Sequence, residues 1–326
     1  MAFLKNNEKE EINMKANMMW AYLIQLSSNM WGESGANWPL MPWYDQLSTE
    51  DDIWKMVIDF LPSCGFNTVL IDVADGIEYE THPEISIPGA WSKDKLKKEL
   101  NRMRALGLTP IPKLNFSAGH DAWLKVYSRM VSTPQYYQVC EDLIKEVAEV
   151  FDYPEFFHLG LDEEWDQGTT NMKIVRPRRI WWHDVNFLFG VCDKVGARPW
   201  VWSDPCWVDP EDYLKNMSKS ALQSNWWYGT IRKKPDGSYE RREIETYVKL
   251  EKAGFEQVPT SSSFGSRWFN TQQNMEMAQE SIAPERLRGF LTGPWCPTKD
   301  LHKYALLNDA YLFGNAKKKC YPEECK

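Results

Sequence analysis

The chain has 326 residues, 43% of them apolar and 26% charged, with a net charge of −8. Such a length supports one large core or two ordinary ones, and the acidic balance disfavours nucleic acid and anionic membrane surfaces, which favour basic partners. No run is long enough to span a bilayer, and a neutral or uncharged ligand is the expectation; composition leaves the oligomeric state open.

Residues 1–17 begin MAFLKNNEKEEIN and read as a polar extension to a single domain over 18–326. The extension lacks the apolar core of a secretory signal, so a cytoplasmic protein is expected, with a trimmed secreted form left open. Apolar runs at about 18–26, 68–73, 109–115, 156–162, 197–203, 221–227, 257–262 and 288–295 read as eight strands, each followed by a helical pattern. Four helix-to-strand turns carry a glycine, at Gly65, Gly107, Gly196 and Gly254, where the left-handed conformation that ends a helix is cheap. Start signals stand at Ser92, Thr133-Pro134 and Asp209-Pro210. Leu96, Leu100, Met103 and Leu106 recur at helical spacing and predict an apolar stripe against a sheet.

Continuous apolar strands such as NTVLIDV suit a parallel sheet covered on both faces, and eight such units predict a single (β/α)8 barrel. A doubly wound sheet is the runner-up, but it would want a glycine-rich phosphate loop that is missing here. The stretch GTIRKKPDGSYERRE after strand six reads as a hairpin flap turning at Pro235-Asp236-Gly237. VRPRR, 175–179, reads as the solvated start of a helix.

In such a barrel the site lies at the C-terminal ends of the strands. Strand two ends at Asp72 and Asp75, strand three at Lys113 and Asn115 with His120 beyond, and strand four at Asp162, Glu163 and Glu164, closed by Trp165. Strand five supplies Trp202, Ser203 and Asp204; strand six Asn225, Trp226, Trp227 and Tyr228; strand eight Trp295. The 17 tryptophans fill cores as readily as they stack on sugars, but carboxylates framed by indoles at strand ends point to a sugar-cleaving cleft with a carbohydrate substrate. Glycoside hydrolysis needs a proton donor for the leaving oxygen and stabilisation of an oxocarbenium-like centre. An acid beside another acid in a dry pocket can stay protonated and supply the proton.

HLGLDEEW, 158–165, resembles the His-x-Gly-Gly-Asp-Glu motif of the family 20 glycoside hydrolases, the β-N-acetylhexosaminidases. The likeness extends over about 66–165. FNTVLIDVADG is similar to a family strand ending in aspartate. The segment from Gly89 to Leu124 resembles the helix leading into an Ile-Pro-Glu-Ile-Asp-x-Pro-Gly-His strand. The resemblance implies substrate-assisted cleavage, with the 2-acetamido oxygen as nucleophile, Glu163 as general acid/base and Asp162 holding the acetamide. It implies that His120 relays a proton or touches the sugar. Strand position adds Trp202, Trp227 and Trp295 as walls of the acetamido pocket and Tyr228 as a donor to its carbonyl.

Departures from that pattern are Lys113 and Asn115 in place of Glu and Asp, one extra residue before Gly119-His120, no arginine in strand one, and Cys296-Pro297 after Trp295. Fewer than about 18 residues precede strand one, so the family's small N-terminal domain is not expected.

Five scattered histidines argue against a metal, no cofactor is expected, and His158 reads as satisfying a buried partner. Seven cysteines without a CxxC pair suggest a reducing compartment, with a Cys320–Cys325 pairing open. A carbohydrate-binding barrel without catalysis and a Lys113 Schiff-base lyase or aldolase are the alternatives.

Overall fold

The computed structural model describes residues 18–31, 42–164, 174–265 and 268–325; the expectations for 1–17 and Trp165 lie outside them. Strand β1 (Met19–Gln25) pairs in parallel with β2 (Thr68–Asp72) on one side and β8 (Gly289–Thr292) on the other. From β2 the sheet continues through β3 (Thr109–Lys113), β4 (Phe156–His158), β5 (Arg198–Trp202) and β6 (Leu222–Ser224), and beyond β8 lies β7 (Thr260–Ser261). Parallel bridges Gln223↔Gln257 and Trp226↔Thr260 join β6 to the β7 segment. The eight strands therefore close into the expected barrel.

Nine helices wrap it among the described residues: α1 (Asp51–Phe60), α2 (Lys93–Ala105), α3 (Pro134–Val150), α4 (Arg178–Lys194), α5 (Pro205–Val208), α6 (Pro210–Asn216), α7 (Arg242–Lys252), α8 (Asn270–Ser281) and α9 (Lys303–Cys320). The side chains of Ser92, Thr133 and Asp209 cap α2, α3 and α6 by accepting from the backbone N–H three residues on, as their sequence signals predict. Leu96, Leu100 and Met103 are buried on α2, whereas Leu106, just past its end, is exposed. The four turn glycines have φ between +73° and +83°. The flap is a hairpin, with Lys233↔Tyr239 bridged antiparallel and the Lys234 N–H donating to Ser238 O at 2.7 Å.

Side chains alternate across each strand. Ala21, Leu23, Leu70, Ile111, Phe156, Trp200, Trp202, Leu222, Val258 and Leu291 make one cluster inside the barrel. Trp20, Tyr22, Ile24, Val69 and Ile71 belong to the larger core between strands and helices. Several strands are shorter than expected. β4 ends as a regular strand at His158 instead of running to 162: Leu159 and Gly160 still bond to the backbone of Trp200 and Trp202, but Gly160 and Leu161 take φ of +72° and +71°, which no extended strand accommodates.

A cavity of about 640 Å³, lined among others by Met18, Asn67, Arg104, Glu155 and Arg288, opens at the N-terminal ends of the strands. It lies opposite the acids. Among the described residues, no helix is long and apolar enough to cross a membrane.

Candidate active site

The period of two that builds the barrel interior also selects what faces its mouth. Continuing the inward positions past Leu23, Leu70, Ile111, Phe156, Trp200, Leu222 and Leu291 brings Gln25, Asp72, Lys113, Asn115, His158, Trp202, Ser224, Trp226 and Trp295 towards the C-terminal end. Asp162 and Glu163 sit just beyond the end of β4.

Asp162 Oδ1 accepts a hydrogen bond from Asn115 Nδ2 at 2.9 Å, and Asn115 Oδ1 accepts from the N–H groups of Ser117 at 3.0 Å and Leu161 at 3.4 Å. One carboxamide thus fixes the aspartate and the turn that carries it. Gly160 lies against this group: a Cβ there would fall 1.9 Å from Asn115 Oδ1, so no side chain fits. The Glu163 N–H donates to Asp204 Oδ2 at 2.8 Å, and Glu163 itself has φ of +55°.

His120 Nε2 lies 2.9 Å from Glu163 Oε2 and 3.5 Å from Asp162 Oδ2. Burial disfavours the charged imidazole, but the Asp162 charge and the bond to Glu163 outweigh it and push the pKa up to about 9. The ring is therefore an imidazolium at neutral pH. Asp204 is fully buried; burial first, then the charges of Asp162 and Glu163, push its carboxyl well up, towards the neutral acid. Asp162 and Glu163 retain 17% and 29% side-chain exposure, enough for a ligand to reach them from the mouth.

The aromatic wall is continuous. Trp202 lies 4.5 Å from His158 and 5.8 Å from Trp295 between ring centroids, Trp295 lies 6.0 Å from Tyr228, and Tyr228 stacks on Trp226 at 5.1 Å. Trp226 also donates to Asp204 Oδ1 at 3.3 Å. The Tyr228 phenol is pushed well up by burial and then by Asp162 and Glu163, so its hydroxyl stays a donor beside the acids.

Three of the expected site residues are placed elsewhere, and a fourth is tied up in an ion pair. Trp227 alternates outward from Trp226 and packs against the outer core, with the Arg241 guanidinium 4.1 Å from its ring, so it is not part of the wall. Glu164 turns away into a buried ion pair with Arg176. Arg176 in turn overturns the expectation of a solvated VRPRR, since its side chain is buried, while Arg178 does start α4. Asp75 is fully buried, bonded by Ser27 Oγ and Asn29 Nδ2, with burial pushing its pKa up to about 6. Lys113 does face inward, but its Nζ pairs with Asp72 Oδ2 with neither side chain exposed. Its amine is held by that carboxylate and not offered to a carbonyl.

His158 Nδ1 accepts the Gly160 N–H at 3.0 Å, and burial, then the Lys113 charge, push its pKa well down. It is a neutral structural acceptor. Cys320 and Cys325 are free thiols.

Two contributors were not singled out from the sequence. Trp31 approaches His120 at 6.4 Å and Trp295 at 6.5 Å, linking the β1 loop to the histidine and to the aromatic wall. Gln25, 2% exposed and in register with Asp72, has neither amide atom bonded among the described residues. Ser28 Oγ, Asp72 Oδ1 and His120 Nδ1 are likewise buried without a partner among the described residues. Buried polar atoms are ordinarily satisfied, so these groups mark where hydroxyls of a ligand, or water, can bond. Strand alternation alone would have put Gln25 on the inner face.

Fold and site together define a (β/α)8 barrel whose strand ends gather paired carboxylates and indoles in one mouth. No family model and no curated protein matches the sequence. Among solved structures, the chain is similar to a GH20 exo-β-N-acetylglucosaminidase from Vibrio harveyi in complex with N-acetylglucosamine, with 12% identity and a TM-score of 0.61 over 94% of this chain and 57% of that one. It is similar to a GH20 catalytic module of the pneumococcal exo-β-D-N-acetylglucosaminidase StrH at 13% identity and 0.61, covering 94% and 86%. A third likeness is to the GH20 β-N-acetylhexosaminidase of Streptomyces coelicolor A3(2), at 11% identity and 0.60, covering 90% and 64%. The chain thus spans less than two thirds of the Vibrio and Streptomyces proteins, and the likeness establishes the barrel fold.

Proposed function

We propose that the chain is a glycoside hydrolase of the β-N-acetylhexosaminidase type, cleaving a β-linked 2-acetamido sugar by substrate-assisted catalysis. The observation that carries this reading is the arrangement of Asp162 and Glu163 on one left-handed turn, bonded to Asn115, Asp204 and His120 beneath a wall of Trp202, Trp295 and Tyr228. The fold shared with structures of that activity agrees with it.

In this mechanism the acetamido carbonyl oxygen attacks the anomeric carbon as the bond to the leaving oxygen breaks, and the Glu163 carboxyl gives that oxygen its proton. Asp162 orients the acetamide N–H and stabilises the positive charge that grows on the ring being formed. Glu163, now a carboxylate, takes a proton from water as the water opens the intermediate with retention at the anomeric carbon. His120, as an imidazolium against both acids, offsets the negative charge left on Glu163 once it has given up its proton. The Tyr228 hydroxyl suits the acetamido carbonyl, and the indoles exclude water and pack the acetamido methyl and the sugar face.

The alternative of a binding protein without catalysis is separated by assay. The enzyme reading expects release of 4-nitrophenol from β-glycosides of N-acetylglucosamine or N-acetylgalactosamine but not from the plain glucoside, with kcat reduced about 10²–10⁴-fold by Glu163→Gln. Tight binding without turnover by the wild type would establish the other reading.

A further inference from the structure

Glu164 and Arg176 flank residues 165–173 in sequence, and their side chains meet in the interior. Glu164 Oε1 accepts the Ala118 N–H at 3.1 Å, Glu164 Oε2 pairs with Arg176 Nη2, and Arg176 Nη1 reaches Asp184 Oδ2 at 2.6 Å. Asp184, on α4, is held in turn by Ser132 Oγ at 2.6 Å and by the Tyr137 hydroxyl of α3. The three charged side chains keep 4%, 3% and 1% of their surface. We propose that Arg176 is a positioning residue for the carboxylate pair: through Glu164 it ties the end of β4 to α3 and α4 and so sets the direction in which Asp162 and Glu163 point.

The backbone explains why such a tie is needed. Leu161 and Glu163 both hold positive φ, +71° and +55°, a conformation that non-glycine residues keep only where the surroundings over-determine it. On the upstream side, Asn115 Oδ1 takes the Leu161 N–H, Ser117 Oγ donates to Asp162 O and Asp204 takes the Glu163 N–H. Downstream of Glu163, the next side chain is Glu164, anchored by Ala118 and Arg176. Without that anchor the turn is free to relax, which swings the Glu163 carboxylate away from His120. Arginine suits the task because its planar fork grips two carboxylates at once, and a lysine ammonium does not reproduce that geometry.

This inference rests on the role assigned above to Glu163, and Arg176→Lys tests it, because the charge is kept and the fork is lost. On a 4-nitrophenyl 2-acetamido glycoside the expected result is a fall of about tenfold or more in kcat with KM within about threefold, in protein folded by circular dichroism. Independently of turnover, the imidazole titration of His120, followed by NMR, is expected to move to lower pH as the ring loses its glutamate partner. Glu164→Gln is expected to repeat both effects at smaller amplitude, and it carries the test should Arg176→Lys not fold. A double variant no worse than the more impaired single one would show that the two residues act as a unit. Wild-type kcat together with an unmoved His120 titration in either folded variant overturns the proposal. A wild type inactive on every acetamido substrate removes the hydrolase reading instead, and the His120 titration still decides the positional claim.

Discussion

His120 Nε2 stands 2.9 Å from Glu163 Oε2, with only 4% of the histidine side chain exposed. The imidazolium so created has a consequence for stability. Its folded pKa, about 9, lies above the ordinary value of 6.5, so the contact stabilises fully below about pH 6.5 and loses its effect as pH rises through about 9. The stabilisation at stake is on the order of 3 kcal/mol. Urea unfolding of wild type and His120→Asn across pH 6 to 10 should show a gap that closes at the alkaline end. A gap independent of pH would mean that the ring is neutral in the fold.

Gly160 is irreplaceable on geometric grounds. Gly160→Ala places a Cβ inside contact distance of Asn115 Oδ1 at a φ that alanine resists. A loss of about 2–4 kcal/mol in stability is expected, with a fall in kcat because Asn115 can no longer hold Asp162. Thermal unfolding and turnover measured together check both parts, and a variant of wild-type stability contradicts the packing described.

Lys113 and Asp72 form a fully buried pair. Lys113→Met leaves the Asp72 carboxylate uncompensated and should cost about 3–5 kcal/mol, most of which returns in the double variant with Asp72→Asn. Urea denaturation measures the cycle. Borohydride treatment in the presence of carbonyl compounds should leave Lys113 unmodified, and a trapped adduct would revive the aldolase alternative.

Beside Asp72, Gln25 has two amide atoms without a partner among the described residues. If they meet sugar hydroxyls, as the proposed function requires of some inward group, Gln25→Ala lowers kcat/KM by roughly 5–30-fold, equivalent to about 1–2 kcal/mol. Initial rates against substrate concentration decide it, and unchanged kinetics would assign the amide to bound water.

Much of this was legible in the residues themselves. Ser92, Thr133 and Asp209 cap their helices because a short oxygen-bearing side chain before an apolar stripe has one geometric use there. The eight strands were legible because a buried parallel sheet leaves no polar face to mislead the reading. Their ends were not, since the left-handed turn at Gly160 and Leu161 depends on Asn115, 45 residues upstream. Nor was the fate of the third acid in Asp162-Glu163-Glu164. A run of three acids gives no sign that one of them turns inward to an arginine twelve residues later.

The linear order of residues by itself determined the barrel, its helices and the strand ends from which polar groups emerge, because local propensity and apolar spacing are properties of neighbours in the chain. Only the tertiary structure decided which emerging groups face the mouth. It put Trp226 inside and Trp227 outside, matched Lys113 to Asp72 and Glu164 to Arg176, and set His120 against Glu163. Burial and pairing of charges depend on atoms that come from distant strands, and their positions exist only once the barrel has closed.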